Sequence, residues 1–133
     1  MFALNKHHTI QKLLGHSLPE SATDLHYYRW QPGADLAYYV VYIKFRVTRE
    51  EFVSLISQIG MDLHNKGGAA MLYLPTSWKT MPQVALDWWN PGADTPEDAA
   101  AKSFGVNGWI VAKYENNYAY FIVSDTGRTD ASN

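Results

Sequence analysis

The sequence predicts an α+β domain, with an antiparallel sheet of four to five strands and one main amphipathic helix, about 48–60, packed on one face. Three observations carry this. Leu36–Val47 has a period of two with one uniformly apolar face, as a strand does, and Thr48–Gly60 repeats its apolar residues at helical spacing between two caps. Gly108–Glu115 and Tyr118–Ser124 are two β-prone runs around a two-residue loop.

At 133 residues the chain is long enough to bury one core without disulfides, and it contains no cysteine. A single domain over 1–133 is expected, with 1–17 as a peripheral N-terminal helical arm and 126–133 as a peripheral tail. The formal net charge of −2 supplies no basic field, which argues against nucleic acid or an anionic membrane surface as a partner. Met1–His8 lacks the apolar core of a signal peptide, and no apolar run reaches the roughly 18–20 residues needed to span a bilayer. With no cysteine as well, cytoplasmic residence is expected.

Thr9–His16 suits a short helix, with Thr9 as N-cap, Ile10, Leu13 and Leu14 as its apolar face and Gly15 as its stop. After the loop Leu18–Ser21, Thr23–Trp30 is β-prone through its aromatics, and Pro32–Asp35 reads as a turn, so 23–47 forms a hairpin. In the second strand Ala37, Tyr39, Val41, Ile43, Phe45 and Val47 make one apolar face. Leu36, Tyr38, Val40, Tyr42, Lys44 and Arg46 make the other, apolar first and cationic at the end.

The helix starts at Thr48, three residues before Glu51, which is the spacing of a capping box. Phe52, Leu55, Ile56 and Ile59 form its stripe and Gly60 its stop. Further on, Asn65–Gly68 is a turn, Ala69–Leu74 reads equally as a strand or a helical turn, and four prolines break 75–96. A segment carrying Trp78, Trp88 and Trp89 has too much apolar area to lie free and is expected to pack over the domain. Thr95–Lys102 reads as a short helix, with Thr at N-cap, Pro at the first turn and Lys late. In the last hairpin, pairing Glu115 with Tyr118 puts Ile110, Ala112, Tyr114, Ala119, Phe121 and Val123 on one face. Trp109, Val111, Lys113, Glu115, Tyr118, Tyr120, Ile122 and Ser124 fall on the other.

Both faces of the sheet therefore carry apolar and aromatic residues, yet only one substantial helix exists to cover a face. Either the Trp-rich segment covers the second face, or that face binds something. Aromatic residues are 14% of the chain, with five Trp and nine Tyr. That surplus suits a Tyr-rich sheet, and equally a recognition surface.

Signatures of chemistry are sparse. The histidines His7, His8, His16, His26 and His64 show no metal-ligand spacing, and no nucleophile elbow or phosphate loop occurs. No metal, cofactor or catalytic residue is assigned. Trp30–Asp35 and Trp89–Asp94 share Trp-x-Pro-Gly-Ala-Asp, but their flanks differ, which fits two similar turns rather than a duplication. The most distinctive stretch is Asp87-Trp88-Trp89-Asn90. Two adjacent indoles beside Asp and Asn can form a platform for a sugar or heterocycle; alternatively one Trp plugs the core and Asp87 caps a turn.

Leu18–Thr23, the passage from Tyr42-Ile43-Lys44-Phe45 to Glu50-Glu51-Phe52, the box Asp87–Pro91 and the strand Tyr120–Asp125 together resemble a family of small bacterial proteins with LPxSAT and DWWNP-like motifs. The resemblance spans most of 18–125. It implies one compact α+β domain and brings no assigned activity with it. Some similar sequences look lipid-anchored or toxin-neutralising, and this chain departs from the lipid-anchored kind in lacking a cysteine to acylate.

The expected function is a non-enzymatic binding or protein-interaction module using the aromatic-rich sheet face. Its residues are Asp87, Trp88, Trp89, Trp109, Tyr118, Tyr120, Tyr38 and Tyr42. The alternative is a small-molecule or carbohydrate-binding protein, or a small enzyme, with a Trp-lined pocket near Asp87. The expected partner is another protein or a second copy of the chain.

Overall fold

A computed structural model describes residues 2–31, 39–63, 78–80, 85–96, 98–103 and 108–125. The elements run α1 (Phe2–Leu14), β1 (Thr23–Trp30), β2 (Tyr39–Arg46), α2 (Arg49–Ile59), β3 (Asp62–Leu63), β4 (Ala100–Ser103), β5 (Gly108–Glu115) and β6 (Tyr118–Asp125). The fold is α+β. Among the described residues the strands form one six-stranded sheet in the order β1-β2-β6-β5-β4-β3, with every neighbouring pair antiparallel.

The two central pairings follow from side-chain pattern. β5 and β6 turn at Asn116 and Asn117, both at positive φ (53° and 74°), as a two-residue hairpin loop of the primed type requires. The turn sets the register at Glu115 against Tyr118, so Ile110, Ala112, Phe121 and Val123 share a face. β2 then docks on β6 with Ile43 opposite Phe121 and Val41 opposite Val123, which extends the same apolar face.

The α2 stripe, Phe52, Leu55, Ile56 and Ile59, is buried in one cluster with Val41, Ile43, Phe45, Ile110, Ala112 and Phe121. The Phe52 ring lies 5.5 Å from Tyr114 and 6.2 Å from Phe121 between centroids. Both halves of the capping box are made, since Glu51 N–H donates to Thr48 Oγ1 at 3.1 Å and Thr48 N–H donates to Glu51 Oε1 at 2.9 Å. Gly60 ends the helix at φ 87°, a left-handed conformation suited to glycine. Lys102 donates to the Ile59 carbonyl at 2.9 Å, placing a cation on the helix's negative end.

Three expectations are corrected. α1 begins at Phe2 rather than after Thr9, which sits inside it, so its start is not set by a Thr cap. Ile10 and Leu14 carry α1 into the α2-side core, with Ile10 fully buried. Among the described residues the sheet has six strands rather than four to five, because the region after α2 adds Asp62–Leu63 and Ala100–Ser103, stretches with too few residues for periodicity to reveal. The third correction concerns Thr95–Lys102, where a single turn closes from Ala99 N–H to the Pro96 carbonyl at 3.0 Å and Ala100 then enters β4. Pairing with β5 satisfies the backbone there. Ala100 and Ala101 are small enough to be buried on opposite faces, so tertiary packing overrides helix propensity.

The expected turns Pro32–Asp35 and Asn65–Gly68, the ambiguous Ala69–Leu74, His64, and the tail 126–133 lie outside the described residues. Among the described residues, no helix is long and apolar enough to cross a membrane.

Candidate functional site

The second sheet face collects Val40 and Tyr42 from β2, Ala101 from β4, Val111 from β5, and Tyr120 and Ile122 from β6. Trp78 and Trp89 are buried with them, at 1% and 7% exposure. The aromatic contacts are edge-on. Trp89 meets Tyr42 and Tyr120 at centroid distances of 5.2 Å each, the geometry ring quadrupoles favour. Its indole N–H donates to the Trp78 carbonyl at 2.7 Å, and Trp78 donates to Thr95 Oγ1 at 3.0 Å. The described parts of the Trp-rich segment thus lie over this face as a strap.

Two lysines fasten it. Lys113, fully buried on β5, donates to the carbonyls of Gly92 (2.7 Å) and Asp94 (2.8 Å), pairs with Glu115 at 2.9 Å and lies over the Trp78 ring. Lys44 on β2 donates at 2.8 Å both to the Trp88 carbonyl and to Asn90 Oδ1. Each ammonium has exchanged water for strap carbonyls and carboxamide, the condition under which a buried charge is tolerated. Burial pushes the Lys44 ammonium below its ordinary value, against the opposing pull of the Asp24 and Glu115 carboxylates. Burial also pushes Glu115 up, but the Gly92 N–H and Lys113 outweigh it and hold the carboxyl below its ordinary value.

Beside the strap, at the β1 side of the sheet, lies a polar and aromatic patch. Asp24 has positive φ (51°) where the β1–β2 register shifts between Thr23 and His26. Such irregularities re-aim side chains, and here the Asp24 carboxylate accepts from Tyr118 Oη at 2.5 Å and contacts His26 Nε2 at 2.9 Å. The Tyr118 bond, ahead of the opposing effect of burial, holds Asp24 low, and the same bond pushes the Tyr118 phenol up. The His26 ring stacks on Trp88 at 5.1 Å and 15°. Lys44 lies 4.4 Å above the Tyr118 ring and Arg46 lies 5.7 Å from it. Tyr120 Oη donates to Asn90 Oδ1 at 3.0 Å, and burial pushes that phenol up to about 12.

The residues singled out from sequence divide accordingly. Tyr42, Trp89 and Tyr120 are interior, with the Trp89 ring against both tyrosines. Trp88 and Tyr118 are half-buried and border the Asp24–His26 patch. Asp87 is exposed on the strap turn. Trp109 is half-buried opposite Ser124 and Ser103, at the far end of the sheet from Tyr118, roughly 20 Å along the strands. Tyr38 lies outside the described residues.

Sequence reasoning missed Asp24, His26, Lys44 and Asn90 as members of one cluster. The period of two in β1 hints that Asp24 and His26 share a side, but the register shift between them and their meeting with Trp88 and Tyr118 depend on tertiary placement. A His–Asp contact can orient an imidazole for proton transfer. Here, however, one ring face is against Trp88 and the carboxylate is shared with Tyr118. Among the described residues, no group of three or more His, Asp or Glu is placed to hold a metal. Two open clefts, of about 570 and 380 Å³, flank the start of α2 and its outer side; neither is lined by Asp87, Trp88 or Trp89.

Fold and patch define an α+β protein whose antiparallel sheet carries one cluster with α2 and one with the strap. No protein-family model matches the chain, and neither a curated protein nor a solved structure is similar to it at a significant level.

Proposed function

We propose that this chain is a non-enzymatic protein-interaction module of the cytoplasm that engages its partner along the β1 border of the sheet. The observation that supports this most is the length and exposure of the outermost described strand on that side. Among the described residues the sheet ends there in β1, eight residues long, whose Tyr27 and Tyr28 are the exposed large hydrophobics, at 38% and 40%. Edge strands bind extended partners through their backbone, and tyrosine is favoured at interfaces.

The His26–Trp88–Tyr118 patch adjoins this border and extends the aromatic surface around it. The strap fills the middle of the aromatic face with its own Trp78 and Trp89, so the open surface has moved to the side. The test is a photoreactive residue at Tyr28, compared with one at exposed Gln58 on α2. Protein crosslinks in cells at Tyr28 and not at Gln58 support the reading, and equal yields refute it. In the alternative, a sugar- or heterocycle-binding protein or small enzyme near Asp87, a panel of such compounds would raise the melting transition, and the Asp87→Ala variant would abolish that rise.

A further inference from the structure

We infer that the partner at this border is a second copy of the chain, with β1 pairing antiparallel to β1 about a two-fold axis at Tyr28. This rests on the interaction reading above and narrows it. The regular part of β1 is short: after the register shift at Asp24, His26 to Trp30 pair without interruption with Lys44 to Val40. Tyr28 is the centre of that stretch. A two-fold axis normal to the sheet keeps every residue on its own face, as continuous pairing demands. It places His26 opposite the second copy's Trp30, Tyr27 opposite its Arg29, and Tyr28 opposite Tyr28.

Each of these pairs is attractive, and two have counterparts within the molecule. His26 already stacks on an indole, that of Trp88, and Trp30 packs on the same side of the sheet. Arg29 already lies 4.0 Å over a tyrosine ring, that of Tyr39, which packs on the α2 side. A guanidinium between Tyr39 and a neighbouring Tyr27 extends an existing cation–π contact.

The neighbouring face-preserving registers are worse. Centring on Arg29 sets two guanidiniums against each other, and like charges directly opposite destabilise a pair. Centring on Tyr27 draws Asp24, with its positive φ, into the new ladder opposite Trp30. Charge and backbone shape select the Tyr28 register. Five paired residues bury well under the ~1,200 Å² of a stable interface, so the association is weak and reversible.

The absence of cysteine makes the test clean. Opposed residues in an antiparallel pair have Cα atoms about 4.5–5.5 Å apart, within reach of a disulfide. A Tyr28→Cys variant, shown by its melt to be folded, should crosslink under mild oxidant at least tenfold more than Tyr27→Cys. The parent's weight-average mass in sedimentation should rise from 15.1 kDa towards twice that with concentration, and Tyr28→Lys should weaken this at least tenfold. Equal crosslinking at both positions overturns the register. A monomer at all concentrations with freely exchanging β1 amides overturns self-pairing and leaves the border open to a different protein. A monomer whose outward β1 amides are protected shows the border covered by the chain itself, and overturns the interaction reading too.

Discussion

Replacing Trp89 by alanine tests whether the strap is part of the core or a detachable cover. The indole is 7% exposed, and a Trp→Ala change at such a site removes ~3–5 kcal/mol through lost transfer energy and the cavity left behind. The bond to the Trp78 carbonyl adds about 1 kcal/mol. The edge contacts with Tyr42 and Tyr120 largely overlap the burial already counted. A loss of ~4–5 kcal/mol is expected, a large share of the total of roughly 5–15 kcal/mol typical of a domain. For a chain of this size that lowers the melting temperature by about 15–20 °C. Trp88→Ala, which unstacks a half-buried ring from His26, should cost only ~1–2 kcal/mol. Urea unfolding followed by far-UV circular dichroism measures both. Equal small losses for the two variants, under about 1.5 kcal/mol each, would refute the packing argument.

Three further outcomes follow from the same contacts. Lys113→Met keeps the aliphatic stem but removes the ammonium that holds Gly92 and Asp94; it should cost ~2–4 kcal/mol in urea unfolding and shift the tryptophan emission to the red as the strap loosens. Thr48→Ala removes half the capping box and should cost about 1 kcal/mol by the same measurement, and Gly60→Ala at its left-handed φ a similar amount. Asp24, Glu51 and Glu115 each have folded values below their ordinary ones, so the folded state binds fewer protons than the unfolded chain. Stability should stay level from neutral pH down to about 4.5, then fall as pH drops through the depressed values, and Glu115→Gln should shrink that fall in a pH series of unfolding midpoints.

Much of the sheet's geometry was legible because it depends on short-range rules. The β5–β6 register came from two asparagines able to take positive φ, and the faces of β2 from simple alternation. The α2 caps came from residue types at fixed spacing. Thr95–Lys102 shows where such rules fail, since a good local helix signal lost to a strand that β5 could pair and whose alanines fitted between two cores. Of the candidate site, Trp88 and Tyr118 were singled out from sequence, but their partners Asp24 and His26 lie more than sixty positions away in the chain. Contacts of that separation leave no periodic trace.

The sequence by itself determined the class of fold, the apolar sides of β2, β5 and β6, and the limits of α2, because each rests on backbone chemistry within a few residues. Only the tertiary structure decided what covers the second face. Whether Trp89 fills a core or faces a ligand depends on where Lys44 and Lys113 project, and on which strap carbonyls meet them. The same closure left β1, rather than the middle of the sheet, as the border with tyrosines turned to solvent.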